Sequence, residues 1–223
     1  MLIINYMNKS LVELIKNKLP PADVLDFGCG EGALSERMKD IGYKVISTDI
    51  NDESFKASTE FIKMDFNNFQ QMKEFANCYR NKFDIVVSVE IIEHLENIDL
   101  YFDTIKEVLK PNGILILSTP NISSFISRLY FLYNGIPMQF DENSLTSSGH
   151  INPITYLELK TLLEKRNFKI LDIQPGGNLP LLWFTGPKYW IFHTIAFILS
   201  VFMRGKHKRG WCLITVAKEL KDD

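Results

Sequence analysis

Cysteine is scarce in this chain, and an excess of either charge is lacking. Cys29, Cys78 and Cys212 are odd in number and far apart, so neither a disulfide framework nor a zinc site is indicated and a reducing cytoplasm fits. Lysine and arginine number 25 against 27 aspartates and glutamates, a formal charge of −2, which removes the global pull toward nucleic acid that a basic chain exerts. Apolar runs fall short of the roughly 20 residues of a membrane span. The longest, 189–203, is also interrupted by His193, Thr194 and Ser200. The opening MLIINYMNKS lacks the cationic, apolar and small-residue succession of a secretory signal, so none is expected. Repeats and low-complexity tracts are missing, and 223 residues suit one α/β domain, 1–223, better than two enzyme domains.

What the sequence does hold is centred on VLDFGCGEG, 24–32. Val24, Leu25 and Phe27 read as a buried parallel strand. Asp26 lies at its carboxyl end, where a carboxylate can accept hydrogen bonds from the following loop or a cationic ligand. Gly28, Gly30 and Gly32 remove side chains where a ligand approaches the backbone or φ turns positive. ALSERMKDI continues at helical spacing, so the loop ends at a helix N-terminus with free N–H groups. GCGEGA alone also satisfies the looser dinucleotide pattern, and an acid follows at about the 20-residue distance that pattern expects. The loop by itself therefore does not choose a cofactor.

The periodicity predicts an amphipathic helix over 5–19, strands at 43–48, 61–64, 83–89 and 114–117, and helices at 67–79 and about 99–109. Asp49 ends the second strand, where it can accept hydrogen bonds from both hydroxyls of a ribose. KPNG stops the helix before the fifth strand. Strands alternating with helices argue for right-handed parallel crossovers. Residues 122–150, rich in aromatics beside turn residues, break this rhythm and read as a lid over the strand ends. A helix at 156–165 and strands at 168–173 and 211–217 complete the order. Before the last strand, 178–209 forms an apolar insertion ending in Arg204, Lys206, Lys208 and Arg209. A buried helix, a homodimer interface and a peripheral membrane contact on anionic headgroups are its three readings.

The glycine loop in its hhDhGCGxG frame, the acid ending the second strand and LKPNGILIL together resemble the class I S-adenosylmethionine (SAM) dependent methyltransferases over nearly the whole chain. The resemblance implies a Rossmann-like doubly wound sheet of seven strands, mostly parallel with an antiparallel last strand and helices on both faces. It also implies a SAM pocket lined by Asp26, Gly28, Cys29, Gly30, Gly32, Asp49, Ile50, Asp65, Phe66 and Val89, with Asp65 at the adenine amino group and Phe66 against the ring. EIIEHL with GHINPITYLELKTLLEKRNF is most similar to ubiquinone-pathway O-methyltransferases and related glycan or secondary-metabolite enzymes. The expected activity is O-methylation of a small-molecule, glycan or lipid-linked acceptor.

Glu90, His94 and His150 are the candidate catalytic residues. If a helix starts just after the fourth strand, Glu90, Glu93 and His94 share one face at i, i+3 and i+4. His150 then closes a set suited to magnesium, manganese, iron or zinc, similar to the ExxEH-plus-later-His pattern of small-RNA 2′-O-methyltransferases. His94 as a metal-free base and a purely structural cap remain alternatives. Two other functions are open. A short-chain dehydrogenase would use Tyr156 and Lys160 as Y-x-x-x-K, but it needs TGxxxGxG where this chain has DFGCGEG. A non-catalytic binding module would use the insertion as its interface.

Overall fold

The computed structural model describes residues 20–177 and 207–220, with Thr194, Ile198, Val201, Phe202 and Arg204. The expected helix at 5–19 and most of the apolar insertion lie outside the described residues. Among those described, the order is β1 (Asp23–Phe27), α1 (Ala33–Asp40), β2 (Lys44–Asp49), β3 (Glu60–Lys63), α2 (Phe69–Cys78) and β4 (Phe83–Val89). A 3-10 turn (Ile92–His94) then leads to α3 (Ile98–Val108), β5 (Leu109–Pro120), α4 (Phe125–Asn134), α5 (Glu142–Ser148), α6 (Tyr156–Glu164), β6 (Phe168–Gly176) and β7 (Cys212–Glu219).

The seven strands lie in the order β3-β2-β1-β4-β5-β7-β6. The β3 to β5 pairs are parallel, and β7 alone runs antiparallel, to both β5 and β6, as the resemblance implied. The chain winds outward from β1 to β3 and then returns to place β4 on the other side of β1. Their carboxyl ends therefore flank a topological switch point, where α/β sheets bind ligands. Ser88 Oγ donates to the Phe27 carbonyl at 2.9 Å and fastens the two strands just below that point.

Strand alternation divides the core. Leu25, Phe27, Val86, Leu115 and Leu117 face α2, α3 and α6, which contribute Met72, Phe75, Phe102, Ile105, Leu159 and Leu163. Val24, Ile85, Val87 and Ile116 face the other way, toward Leu34 and Met38 of α1. Two-sided cover is why FDIVVSV reads as a nearly continuous apolar strand.

β6 runs on to Gly176, past the expected 173, and β5 departs further from expectation. β5 begins at Leu109 rather than Ile114, because Phe83 pairs with Leu109 and Ile85 with Ile114, leaving 110–113 as a bulge within the ladder. Asn112 turns this bulge at φ 65. Gly113 has no room for a side chain, since a Cβ would meet Leu109 Cδ2 and the Lys110 carbonyl at 2.8 Å. Lys110 Nζ reaches Asp84 at 2.8 Å and Asp23 at 3.3 Å, so KPNG anchors the sheet end remote from the glycine loop.

Candidate active site

The glycine loop is held mostly by backbone. Gly28 and Cys29 donate their N–H groups to the Thr48 carbonyl at 2.9 and 3.0 Å, so the loop closes on the end of β2. Gly30 N donates to Asp49 Oδ2 at 2.8 Å, and Asn51 N to Asp49 Oδ1 at 3.2 Å. The glycines meet different demands. Gly28, at φ 94, leaves space that Ile91 fills, since a Cβ would lie 2.1 Å from Ile91 Cδ1. Gly32, at φ 83, likewise yields to Ala57 and Phe55, while Gly30, at φ 53, faces open space with nothing within 4 Å. Of the three, Gly30 offers bare backbone to a ligand.

Asp26 lies buried beneath this loop. Its Oδ2 accepts from Ser35 Oγ at 2.5 Å rather than from loop amides, and Ser47 Oγ donates onward to Ser35 Oγ at 2.9 Å. Oδ1 is buried without a hydrogen-bond partner. Burial pushes the carboxyl's pKa up to about 6; the Ser35 hydrogen bond opposes that rise and the Asp49 charge adds to it. Ser35 was not foreseen, although a polar residue on the apolar stripe Leu34–Met38 is the trace it leaves in sequence. Burial first, and then Asp26 and Asp49, hold the Cys29 thiol protonated, so this cysteine is not a ready nucleophile.

The remaining expected cofactor residues end neighbouring strands. Phe66 packs on Phe27 with ring centroids 4.4 Å apart. Asp65 Oδ1 accepts from Asn67 N at 2.9 Å, and Gln71 Oε1 accepts from Asp65 N at 2.8 Å, fixing the turn after β3. Ile50 stands exposed beside Asp49, and Val89 is half-buried at the end of β4.

Beyond Val89 the expected helical face does not form. Glu90 takes a left-handed φ of 56, and a 3-10 turn covers only Ile92–His94. The physical reason is Ile91: reversing the chain at Glu90 lets its side chain fold back over Gly28. Glu90 N donates to Ser118 O and Oγ, each at 3.2 Å, and Ser118 Oγ donates to Glu90 Oε1 at 2.7 Å. Burial pushes the Glu90 pKa up to about 7, opposed by that last hydrogen bond.

Among the described residues, Glu93, His94 and His150 form a group whose potential ligand atoms lie within 4.8 Å of one another; Glu90 is not part of it. Glu93 is fully buried. Its Oε2 accepts from Thr119 Oγ1 at 3.3 Å, whereas Oε1 is without a partner. Burial and the neighbouring Glu90 raise its proton affinity well above that of an ordinary glutamate. His94 and His150 meet edge to face at 4.8 Å. Burial, and then His150, lower the His94 pKa, keeping its ring neutral. His150 Nδ1 is 2.7 Å from the Gln139 carbonyl; a carbonyl only accepts, so Nδ1 carries a proton and Nε2 is the ring nitrogen turned to other partners.

The segment carrying His150 is clamped to the 3-10 turn. The Glu93 carbonyl accepts from Ile151 N and Asn152 N at 2.9 and 3.0 Å, and Asn152 Nδ2 donates to the Leu95 carbonyl. Ser118, Thr119 and Asn152 were not foreseen as site residues; STPN and GHINP mark polar strand ends without saying what they touch. Tyr156 and Lys160 lie on α6, where Lys160 pairs with Glu164 at 3.6 Å. The expected lid comprises α4 and α5, the latter with no buried residue.

Comparison with known proteins agrees with this fold. The chain is similar to the ubiquinone biosynthesis O-methyltransferase of Pelagibacter ubique, 29% identical over 190 residues covering 76% of this chain and 77% of that one. The enzyme of the same description from Rickettsia conorii is 29% identical over 177 residues, covering 74% of this chain and 59% of its own length. Among solved structures, a SAM-dependent methyltransferase from Archaeoglobus fulgidus superimposes with a TM-score of 0.64 at 19% identity, covering 95% and 94% of the two chains. A possible histamine N-methyltransferase from Thermotoga maritima gives 0.61 at 17%, covering 99% and 92%; at such identities the likeness is one of fold. The family model described as a methyltransferase domain matches residues 3–173, most of the chain. The chain belongs to this methyltransferase-domain family and is a SAM-dependent methyltransferase.

Proposed function

We propose that the protein, acting as one domain in the cytoplasm, methylates a hydroxyl oxygen of a small-molecule acceptor, glycan or lipid-linked. The choice of oxygen is supported by the relatives' description as ubiquinone biosynthesis O-methyltransferases. SAM, when bound, supplies an electrophilic methyl for in-line displacement, so the protein's work is alignment and exclusion of water. Gly28, Cys29, Gly30 and Gly32 present backbone to the cofactor over the buried Asp26. Asp49 accepts from the ribose, Asp65 and Phe66 hold the adenine, and Ile50 and Val89 wall the pocket. The open side of Gly30 and the unpartnered Asp26 Oδ1 suit a cationic ligand in this cradle.

The observation that carries the acceptor chemistry is the convergence of Glu93, His94 and His150 beside the end of β4. Glu93, His94 and His150 would hold a divalent ion such as magnesium, manganese, iron or zinc, which would lower the acceptor hydroxyl's pKa. The buried, unpartnered Glu93 Oε1 and the mixed oxygen and nitrogen donors fit such an ion. Glu90 is assigned a supporting role, holding the turn through Ser118. A second reading rests on the neutral His94 ring, which can take the hydroxyl proton without a metal while His150 orients it. Transfer from labelled SAM into a small-molecule fraction of cell extract, assayed before and after exhaustive chelation, separates the two. Loss on chelation with recovery on adding a divalent ion supports the metal; full survival rejects it in favour of the base.

A further inference from the structure

One rim of the molecule exposes a concentration of large apolar side chains to solvent. α4 buries Phe125 and Ile126, with Leu129 and Met138 packed on them, yet Leu132 and Tyr133 are 82% and 88% exposed and Phe131 and Ile136 are exposed beside them. In the insertion, Thr194, Ile198, Val201 and Phe202 are helical and exposed. Three of these four described residues are apolar, and their sequence spacing of i, i+4, i+7 and i+8 is that of a single helix face, with Phe202 78% exposed.

The two faces adjoin. Arg128 Nη1 on α4 donates to the Arg204 carbonyl at 3.2 Å, Phe125 N donates to the Lys208 carbonyl at 2.9 Å, and Leu132 lies one helical turn beyond Arg128. Charge along these stretches has one sign. Residues 121–140 and 178–217 contain no aspartate or glutamate, but do contain Arg128, Lys188, Arg204, Lys206, Lys208 and Arg209; the acids that follow, Asp141 and Glu142, open α5, where Asp141 caps the helix and accepts from the Tyr130 hydroxyl at 3.2 Å. A second copy seated here would bring like charges together, whereas an anionic lipid surface meets both the cations and the apolar face. The rim also leads to the histidine pair, because Gln139, shortly after Ile136, accepts from His150.

We propose that this rim docks the enzyme on an anionic bilayer and turns its acceptor mouth toward the lipid. The orientation of the mouth rests on the acceptor site proposed above, while the docking itself does not. The full chain should float with phosphatidylglycerol-containing vesicles, fail to float with phosphatidylcholine alone, and be released by salt. Two double variants, Leu132→Glu with Phe202→Glu and Arg204→Glu with Arg209→Glu, should each lower the partition coefficient roughly tenfold or more. Calorimetric SAM binding should stay unchanged, showing that both fold. Wild-type protein that stays unbound with either vesicle overturns docking. So does a soluble dimer dispersed by the Leu132→Glu, Phe202→Glu pair without flotation, which assigns the rim to a second copy. A failure of SAM binding alone bears on the cofactor site and leaves docking intact.

Discussion

Asp26 is an interior carboxyl with one oxygen on Ser35 and the other without a hydrogen-bond partner. Its folded pKa of about 6 exceeds the ordinary 3.8, so the native state binds more protons than the unfolded state between those values. The Asp26 contribution to stability therefore falls as pH rises through that window and levels off above it, by roughly 3 kcal/mol for two decades of proton affinity, while Glu90 and Glu93, also raised, carry the fall further. Asp26→Asn should remove that part of the slope in denaturant unfolding, leaving the part due to Glu90 and Glu93, and be the more stable protein at pH 7, while binding SAM more weakly. Asp49→Ala should weaken SAM binding roughly tenfold to a hundredfold, read by calorimetry. The glycines separate packing from binding. Gly28→Ala should cost about 1–3 kcal/mol through positive-φ strain and the clash with Ile91, and Ile91→Ala should restore part of it in a double-mutant cycle. Gly30→Ala, which meets nothing within 4 Å, should cost roughly 1 kcal/mol of stability and lower SAM affinity instead. The identities and spacing of these residues were legible because a strand, glycine loop and helix must follow one another in sequence. That Ile91 fills the space over Gly28 was not, because the contact joins two strand ends whose adjacency only the fold creates.

At the scale of elements, the strands and helices lay open to periodicity, and most observed boundaries fall within a residue or two of it. KPNG read as a turn because its residues turn locally; that the turn sits inside a ladder, as a bulge opposite β4, depends on a partner strand distant in sequence. Glu90 misled for a related reason. EIIEHL has helical spacing, but the need to seat Ile91 over Gly28 outweighs propensity and bends the chain at φ 56. The Glu93, His94 and His150 group survives this change because Ile151 N, Asn152 N and the Asn152 side chain bind the later segment to the 3-10 turn. Asn152→Ala should consequently lower turnover roughly tenfold or more by loosening His150, with SAM affinity unchanged. A parallel fall in SAM binding and thermal stability would instead mark Asn152 as a general fold determinant.

At the scale of the whole molecule, β1 and β4 place the glycine loop next to the acid and histidine cluster, and the proposed transfer rests on that adjacency. The strand order could be anticipated from the resemblance, whereas periodicity alone leaves the neighbours of β7 open. The apolar insertion was conspicuous in composition, but its partner could not be read from local pattern; the adjoining exposed face of α4 supplies that relation. Among the described residues no helix is long and apolar enough to cross a membrane, and interfacial docking requires none. The central claim is that this switch point moves a methyl group from SAM to an acceptor held beside His94 and His150. The most direct measurement incubates wild type, His94→Ala and His150→Ala with labelled SAM and a cell extract, alongside calorimetry of SAM binding to each. Label should enter a small-molecule product with wild type alone, while all three proteins bind SAM with similar affinity. Undiminished labelling by both variants would contradict the catalytic assignment.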